Sequence, residues 1–107
     1  MRANRIEAAE VQYQRSIDLQ PGMEANAAIG EIRARSGRWQ DALDAYAAAL
    51  AIDPTHAGIM SLVAGAHLSL GQLDKAQAQF EHALRLSPGL ETARSGLARI
   101  AQMRSAQ

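Results

Sequence analysis

The sequence predicts an all-α chain of about six helices, arranged as antiparallel pairs stacked into a short right-handed solenoid. Three observations lead there. The stretch GRWQDALDAYAAALAIDP (residues 37–54) is followed 34 residues later by GQLDKAQAQFEHALRLSP (residues 71–88), with glycine, alanine, aromatic, alanine-leucine and proline at the same offsets. Apolar residues recur at spacings of three and four, which places them on one helical face. A proline closes each copy, and a proline lacks the amide hydrogen that a continuing helix needs. A fixed period of this length marks supersecondary units that bury their apolar faces by stacking.

Each element has its own reason. The first predicted helix, near 4–20, carries the repeat register backwards through Ile6, Ala9, Tyr13, Ser16, Ile17, Leu19 and Pro21. The second, near 24–36, has Ile29 and Gly30 on its inner face. It ends at Gly37, where a left-handed residue terminates a helix without steric cost. The third, near 39–52, brings Ala42, Tyr46 and Ala49 inward, with Asp41 and Asp44 expected in its first turn, where the helix macrodipole favours acids. The fourth, near 56–70, repeats the second with Val63 and Ala64 and ends before Gly71. The fifth, near 73–86, repeats the third with Ala76, Phe80 and Ala83, and with Asp74 in its first turn. The sixth, near 90–104, repeats the second again through Leu97, Ala98 and Ile100. Small residues let paired helices approach closely, and Tyr46 and Phe80 are expected to wedge against the next helix along. Ile52 and Leu86, which also recur, are expected at contacts between helices.

With these residues in place the chain resembles the tetratricopeptide repeat, whose pattern runs W-x2-L-G-x2-Y, then A-x3-F, then P over 34 residues. Ala42-x3-Tyr46 through Pro54 and Ala76-x3-Phe80 through Pro88 match its second half. In the first half, Asn26 and Met60 stand at the tryptophan position and Arg33 and His67 at the tyrosine position. The resemblance implies one domain over 1–107: residues 4–22 as the second helix of a partial repeat, 23–56 and 57–90 as full repeats, and 91–107 as a terminal helix.

Composition narrows the function. Eleven basic and eleven acidic residues cancel, so no global field draws the chain to nucleic acid or an anionic membrane. The absence of cysteine removes disulfides, thiol nucleophiles and thiolate metal sites. Twenty-three alanines, and ten arginines among eleven cations, are a bias that a GC-rich genome would produce, and a bacterial source is expected. No apolar run approaches about 18 residues, and the first residues are too polar for a signal peptide. A soluble chain is expected, cytoplasmic as it stands and periplasmic as a piece of a longer one.

No catalytic, cofactor or metal constellation emerges. His67 takes the aromatic slot of its repeat and is expected as a packed, hydrogen-bonded residue. His56 falls in a turn and His82 on a helix flank, and no two histidines share an i, i+4 face. No serine has an acid and a histidine that the repeat would bring to it. Met23, Met60 and Met103 read as gap-fillers in an alanine-rich core. Arg94, Arg99 and Arg104 do not form one helical stripe, so nucleic-acid contact is not expected. The reading is therefore a protein-interaction scaffold and not an enzyme. The alternative from another class is the repeat segment of a larger enzyme, such as a transferase, without its catalytic domain.

The resemblance also implies where a partner would sit. First helices of successive tetratricopeptide repeats line a concave groove that holds a peptide or a partner helix. Position by position, that groove would comprise Glu24, Ala27, Ala28, Glu31 and Arg35, then Gly58, Ser61, Leu62, Gly65, Leu68 and Ser69, then Arg99. Its small, partly apolar centre suits an apolar side chain or an amphipathic helix. The positions that grip chaperone-tail carboxylates in some members read Ala27, Glu31, Leu62, Thr92 and Gly96, so such a clamp is not expected. The first helix adds one further partner. Ala9, Ser16 and Val11 would leave a shallow apolar edge, through which two copies would pair weakly, at roughly 10–100 µM.

Overall fold

The computed structural model describes residues 10, 11, 14, 15 and 22–106. Five complete helices follow one another: α1 (Met23–Arg35), α2 (Trp39–Ile52), α3 (Ala57–Ser69), α4 (Leu73–Leu86) and α5 (Glu91–Ser105). Their ends fall within a residue or so of the predicted ones. Glu10, Val11, Gln14 and Arg15 are also helical. The rest of the first predicted helix, including Ile6, Ala9, Tyr13, Ser16 and Ile17, lies outside the described residues. Among the described residues no strand occurs, and no helix is long and apolar enough to cross a membrane.

The chain divides into two compact units at Pro54 and Thr55. The first contains α1 and α2, the second α3, α4 and α5. Both pairs are closed by the same turn. Gly37 and Gly71 have φ of 76°, the left-handed region that costs glycine nothing. In the first turn, Arg38 N–H donates to Arg33 O at 2.9 Å and Gly37 N–H to Ala34 O at 3.0 Å. In the second, Gln72 N–H donates to His67 O at 2.9 Å and Gly71 N–H to Leu68 O at 3.0 Å. These are the paired bonds of a Schellman cap, which satisfies carbonyls the helix end would otherwise orphan. At the far end, α2 stops at Ile52 ahead of Pro54 and α4 at Leu86 ahead of Pro88.

Within each pair the approach is set by alanines and glycine. Ala42, Ala49, Ala64, Ala76 and Ala83 are 0% exposed, so a methyl group fills the whole space between helices. Gly30 goes further: a Cβ there would overlap the ring of Tyr46. Tyr46 thus packs inside its own pair, against α1. In the second unit Phe80 does reach the next helix, where its ring occupies the space a Cβ on Gly96 would need.

Several expectations are corrected. Two 34-residue steps pair Ala98 with Gly30 and Ile100 with Ile32; Ile100 is buried, but Ala98 is exposed, and α5 buries Ala93 and Gly96 beside Ile100. The physical reason is which neighbour is present. Gly30 and Ala64 face the second helix of their own pairs, whereas α5 packs on the preceding α4 and α3. Ile52 and Leu86 recur at the repeat spacing yet are 50% and 43% exposed, because each is the last residue of its helix. Asp44 lies in the second turn of α2 and not the first. Met60 is buried as expected of a gap-filler, while Met103 is exposed.

Candidate functional site

The polar residues at aromatic slots do by hydrogen bonding what a ring would do by packing. Asn26 is buried and donates from Nδ2 to Gly22 O at 2.8 Å, tying the start of α1 to its own entry. His67, half-buried, has Nδ1 2.7 Å from Gln72 Oε1 across the α3–α4 turn. Arg33, also half-buried, donates from Nη1 to Asp41 O at 3.1 Å and from Nε to Glu10 Oε1 at 2.9 Å. His56 has a role that its position in a turn did not announce. It is the N-cap of α3, its Nδ1 accepting from Ile59 N–H at 3.1 Å. The usual cap residues carry an oxygen at this place, which is why a histidine gives so weak a signal. His82 is exposed on α4.

On α1, in the first unit, Glu24, Ala27, Glu31 and Arg35 fall three and four residues apart and so share one stripe. Glu24, Glu31 and Arg35 are exposed, and Ala27 and Ala28 are half-buried. This stripe is electrically coupled to the core beneath it. Burial pushes the Tyr46 phenol up to about 12, with Glu31 pushing the same way and Arg35 opposing.

In the second unit, α3 carries the corresponding stripe. Ser69 is exposed, and Gly58, Leu62 and Gly65 are half-buried. Ser61 and Leu68 are buried, at 6% and 8% exposure, so these two present little to a ligand. Ser61 is instead spent within the unit, its Oγ donating to Thr92 Oγ1 at 2.9 Å. That bond joins α3 to α5, both first-type helices running the same way. Arg99 is exposed, and Arg104, one turn and a half further, pairs with Asp74 at 2.7 Å. One of the three terminal arginines is thereby committed to the fold.

The glycines separate into two kinds. Gly30 and Gly96 are required, because aromatic rings fill the space of a Cβ. Gly65 has nothing within 4 Å of that space. A mid-helix glycine costs about 0.5–1 kcal/mol relative to alanine, and at Gly65 no intramolecular contact explains it. The space that a side chain at Gly65 would take is therefore open.

Two family models, both described as tetratricopeptide repeat, match residues 33–100 and residues 1–57. No curated protein matches the sequence. Among solved structures, the first such domain of Spaghetti (RPAP3) bound to the HSP90 peptide SRMEEVD superposes with a TM-score of 0.88. It shares 20% identity, over 97% of this chain and 83% of that one. The second such domain of human RPAP3, in complex with the HSP70 peptide SGPTIEEVD, gives a TM-score of 0.85 at 23% identity, over 94% of this chain and 84% of that one. A tetratricopeptide repeat protein from Parabacteroides merdae gives 0.86 at 19% identity, and its chain is longer: 98% of this chain aligns to 41% of it.

Proposed function

The chain belongs to the tetratricopeptide repeat family, and from that premise we propose that it is a protein-interaction module that binds a peptide or a partner helix on the faces of its first-type helices. The observation that carries this reading is Gly65. Its missing side chain is unexplained by the fold, and a ligand approaching the α3 backbone closely gives it a use. Leu62, one turn before, supplies a half-buried apolar flank, and Ser69 and Arg99 supply polar ends. An amphipathic segment seats an apolar side chain in such a space and turns its polar groups to the rim.

Two solved neighbours are complexes with HSP90 and HSP70 peptides ending in EEVD. A grip on such a tail needs lysine, arginine or asparagine at the positions occupied here by Ala27, Glu31, Leu62, Thr92 and Gly96. Gly96 excludes it sterically as well, since any Cβ there overlaps Phe80. The partner is therefore read as apolar-centred, not as a free acidic C-terminus.

Selection of a displayed peptide library on the native chain tests this. Peptides that bind should lose affinity at least tenfold for Gly65→Leu and for Leu62→Glu, with the helical circular dichroism of both variants intact. Binding that survives both substitutions moves the site elsewhere.

A second reading concerns self-association. Val11 is 57% exposed, and an uncovered aliphatic side chain on the N-terminal helical segment favours a weak homodimer through it. Light scattering across roughly 10–100 µM should show the native chain dimerising and Val11→Glu remaining monomeric. A native chain that stays monomeric removes this reading.

A further inference from the structure

Four positions recur on the first-type helices, three and four residues apart, so that they share one stripe. On α1 they are Asn26, Ile29, Gly30 and Arg33, and on α3 Met60, Val63, Ala64 and His67. On both helices the first three are buried and the last is half-buried. The second helix of each pair provides the cover. In the first unit, Tyr46 of α2 fills the space beside Gly30, and Arg33 donates to the Asp41 carbonyl of α2 at 3.1 Å. In the second, α3 packs on α4, and His67 lies 2.7 Å from Gln72 at the start of α4.

α5 carries the same stripe as Arg94, Leu97, Ala98 and Ala101. Here Arg94, Ala98 and Ala101 are exposed and Leu97 is half-buried. A neighbouring stripe, Ala93, Gly96 and Ile100, is the buried one, and it fixes α5 on α3 and α4. The open stripe is therefore held in place by the fold without being used by it.

α2 and α4 show what fits such a stripe. Each is antiparallel to the helix it covers and buries an Ala-x3-aromatic-x2-Ala face, as Ala42, Tyr46 and Ala49 and as Ala76, Phe80 and Ala83. Ala98 selects between the two. A Cβ at Gly30 would overlap Tyr46, whereas Ala64 keeps its methyl at 0% exposure beneath α4. Ala98 is matched to a helix of the α4 kind. Arg94 sets a second condition. Its counterparts Asn26 and Met60 are neutral, and it makes no ion pair or side-chain hydrogen bond among the described residues. In an antiparallel pair it stands by the last turn of the covering helix, where a cation favours the helix dipole and an acid, and disfavours a base.

We propose that the Arg94–Leu97–Ala98–Ala101 stripe of α5 is a docking site for an amphipathic helix of a partner protein, one with Ala-x3-Phe-x2-Ala on its apolar face and acid in its last turn. That helix completes a third pair on the second unit. The stripe is a different one from that through Leu62 and Gly65, whose counterparts on α5 are Gly96 and Arg99, and the proposal stands without that site.

Fluorescence anisotropy on the full chain tests this, with a labelled peptide copy of residues 71–88 carrying Arg85→Glu. The peptide should bind, and at least tenfold more weakly to Ala98→Glu and to Ala101→Glu. Ala78→Glu, which adds the same charge at an exposed position of α4, should bind it as the native chain does. Phe80→Ala made in the peptide alone should also weaken binding tenfold or more. The peptide with its native Arg85 should bind roughly threefold more weakly, and Arg94→Gln in the chain should erase that difference. The substituted chain positions are all exposed, so helical circular dichroism should be unchanged. No binding up to about 1 mM overturns the proposal. So does binding that Ala98→Glu and Ala101→Glu leave unaltered, because the peptide would then sit elsewhere, as in place of α4 on α3. Light scattering in which the native chain self-associates and Ala98→Glu does not would give the stripe to a second copy, and equally overturns it.

Discussion

The Phe80 ring fills the space that a side chain on Gly96 would occupy, and it does so from a different helix. Phe80 is 4% exposed, so the ring has little room to yield. Gly96→Ala should therefore force the α4–α5 contact apart. Overpacking of this kind costs about 1–3 kcal/mol, or a fall in thermal midpoint of roughly 4 °C or more for a chain of this size. Gly65→Ala is the matched control. It adds the same methyl group to open space and should raise the midpoint through helix propensity. A melting experiment in which both substitutions act alike would refute the distinction drawn between the two glycines.

Ala76 makes the parallel case inside a pair. It is 0% exposed between α3 and α4, and Ala76→Leu should cost about 1–3 kcal/mol for the same reason. The outer-face comparison is best made at Ala78, which is exposed, because the adjacent Gln77 is half-buried. Ala78→Leu should leave the midpoint within about 1–2 °C. Equal losses at the two alanines would show that the register of α4 differs from the one described.

The contrast between Ala76 and Gly96 also shows what the sequence could and could not announce. Ala42, Ala49, Ala76 and Ala83 were legible because each pair carries its own copy of the contact, so periodicity alone locates them. Gly96 was not, because α5 uses the face turned to its predecessor and not the one turned to a following partner. The spacing Ala93-x2-Gly96-x3-Ile100 is the signal that would have found it. Ile52 and Leu86 misled in the opposite direction, since recurrence records a position in the repeat and not its burial. Glu10, His56 and Arg104 act through long-range or capping bonds that are not repeated from one pair to the next, and a bond without a copy leaves no period. The residues the sequence assigns to a groove divide similarly. Gly65 and Leu62 are half-buried, whereas Ser61 is buried and its hydroxyl is spent on Thr92, a partner 31 residues away.

Acid should weaken the hold of Glu10. Hydrogen bonds from Arg38 and then Arg33 keep its carboxyl below the usual value of 4.5, outweighing the opposing effect of burial. A carboxyl depressed in the folded state stabilises it above its unfolded value, and that contribution is lost as pH falls through the folded value. The native chain should be more stable than Glu10→Gln near neutrality. The difference between their thermal midpoints should shrink steadily once the pH drops below about 4.5. A difference that stays constant down to pH 3 would mean that the Glu10 charge contributes nothing to the fold.

Tyr46 sets the alkaline limit. Burial raises its phenol from 10.0 to about 12, Glu31 adds to the rise, and Arg35 opposes it. Because the folded value lies above the unfolded one, the stabilisation is complete below pH 10 and is lost as pH climbs from about 10 towards about 12. The chain has two tyrosines, Tyr13 and Tyr46, so phenolate absorbance against pH should resolve a late phase that disappears in Tyr46→Phe. The neighbours fix the direction of two further changes. Glu31→Gln removes a negative charge that disfavours the phenolate and should move the late phase to lower pH. Arg35→Gln removes a favourable cation and should move it higher. Since Glu31 and Arg35 lie on the exposed stripe of α1, a ligand that neutralises Glu31 should act like Glu31→Gln, which makes the Tyr46 titration a reporter for binding on that face. A late phase insensitive to both substitutions would show that burial alone governs Tyr46 and that the stripe is uncoupled from the core.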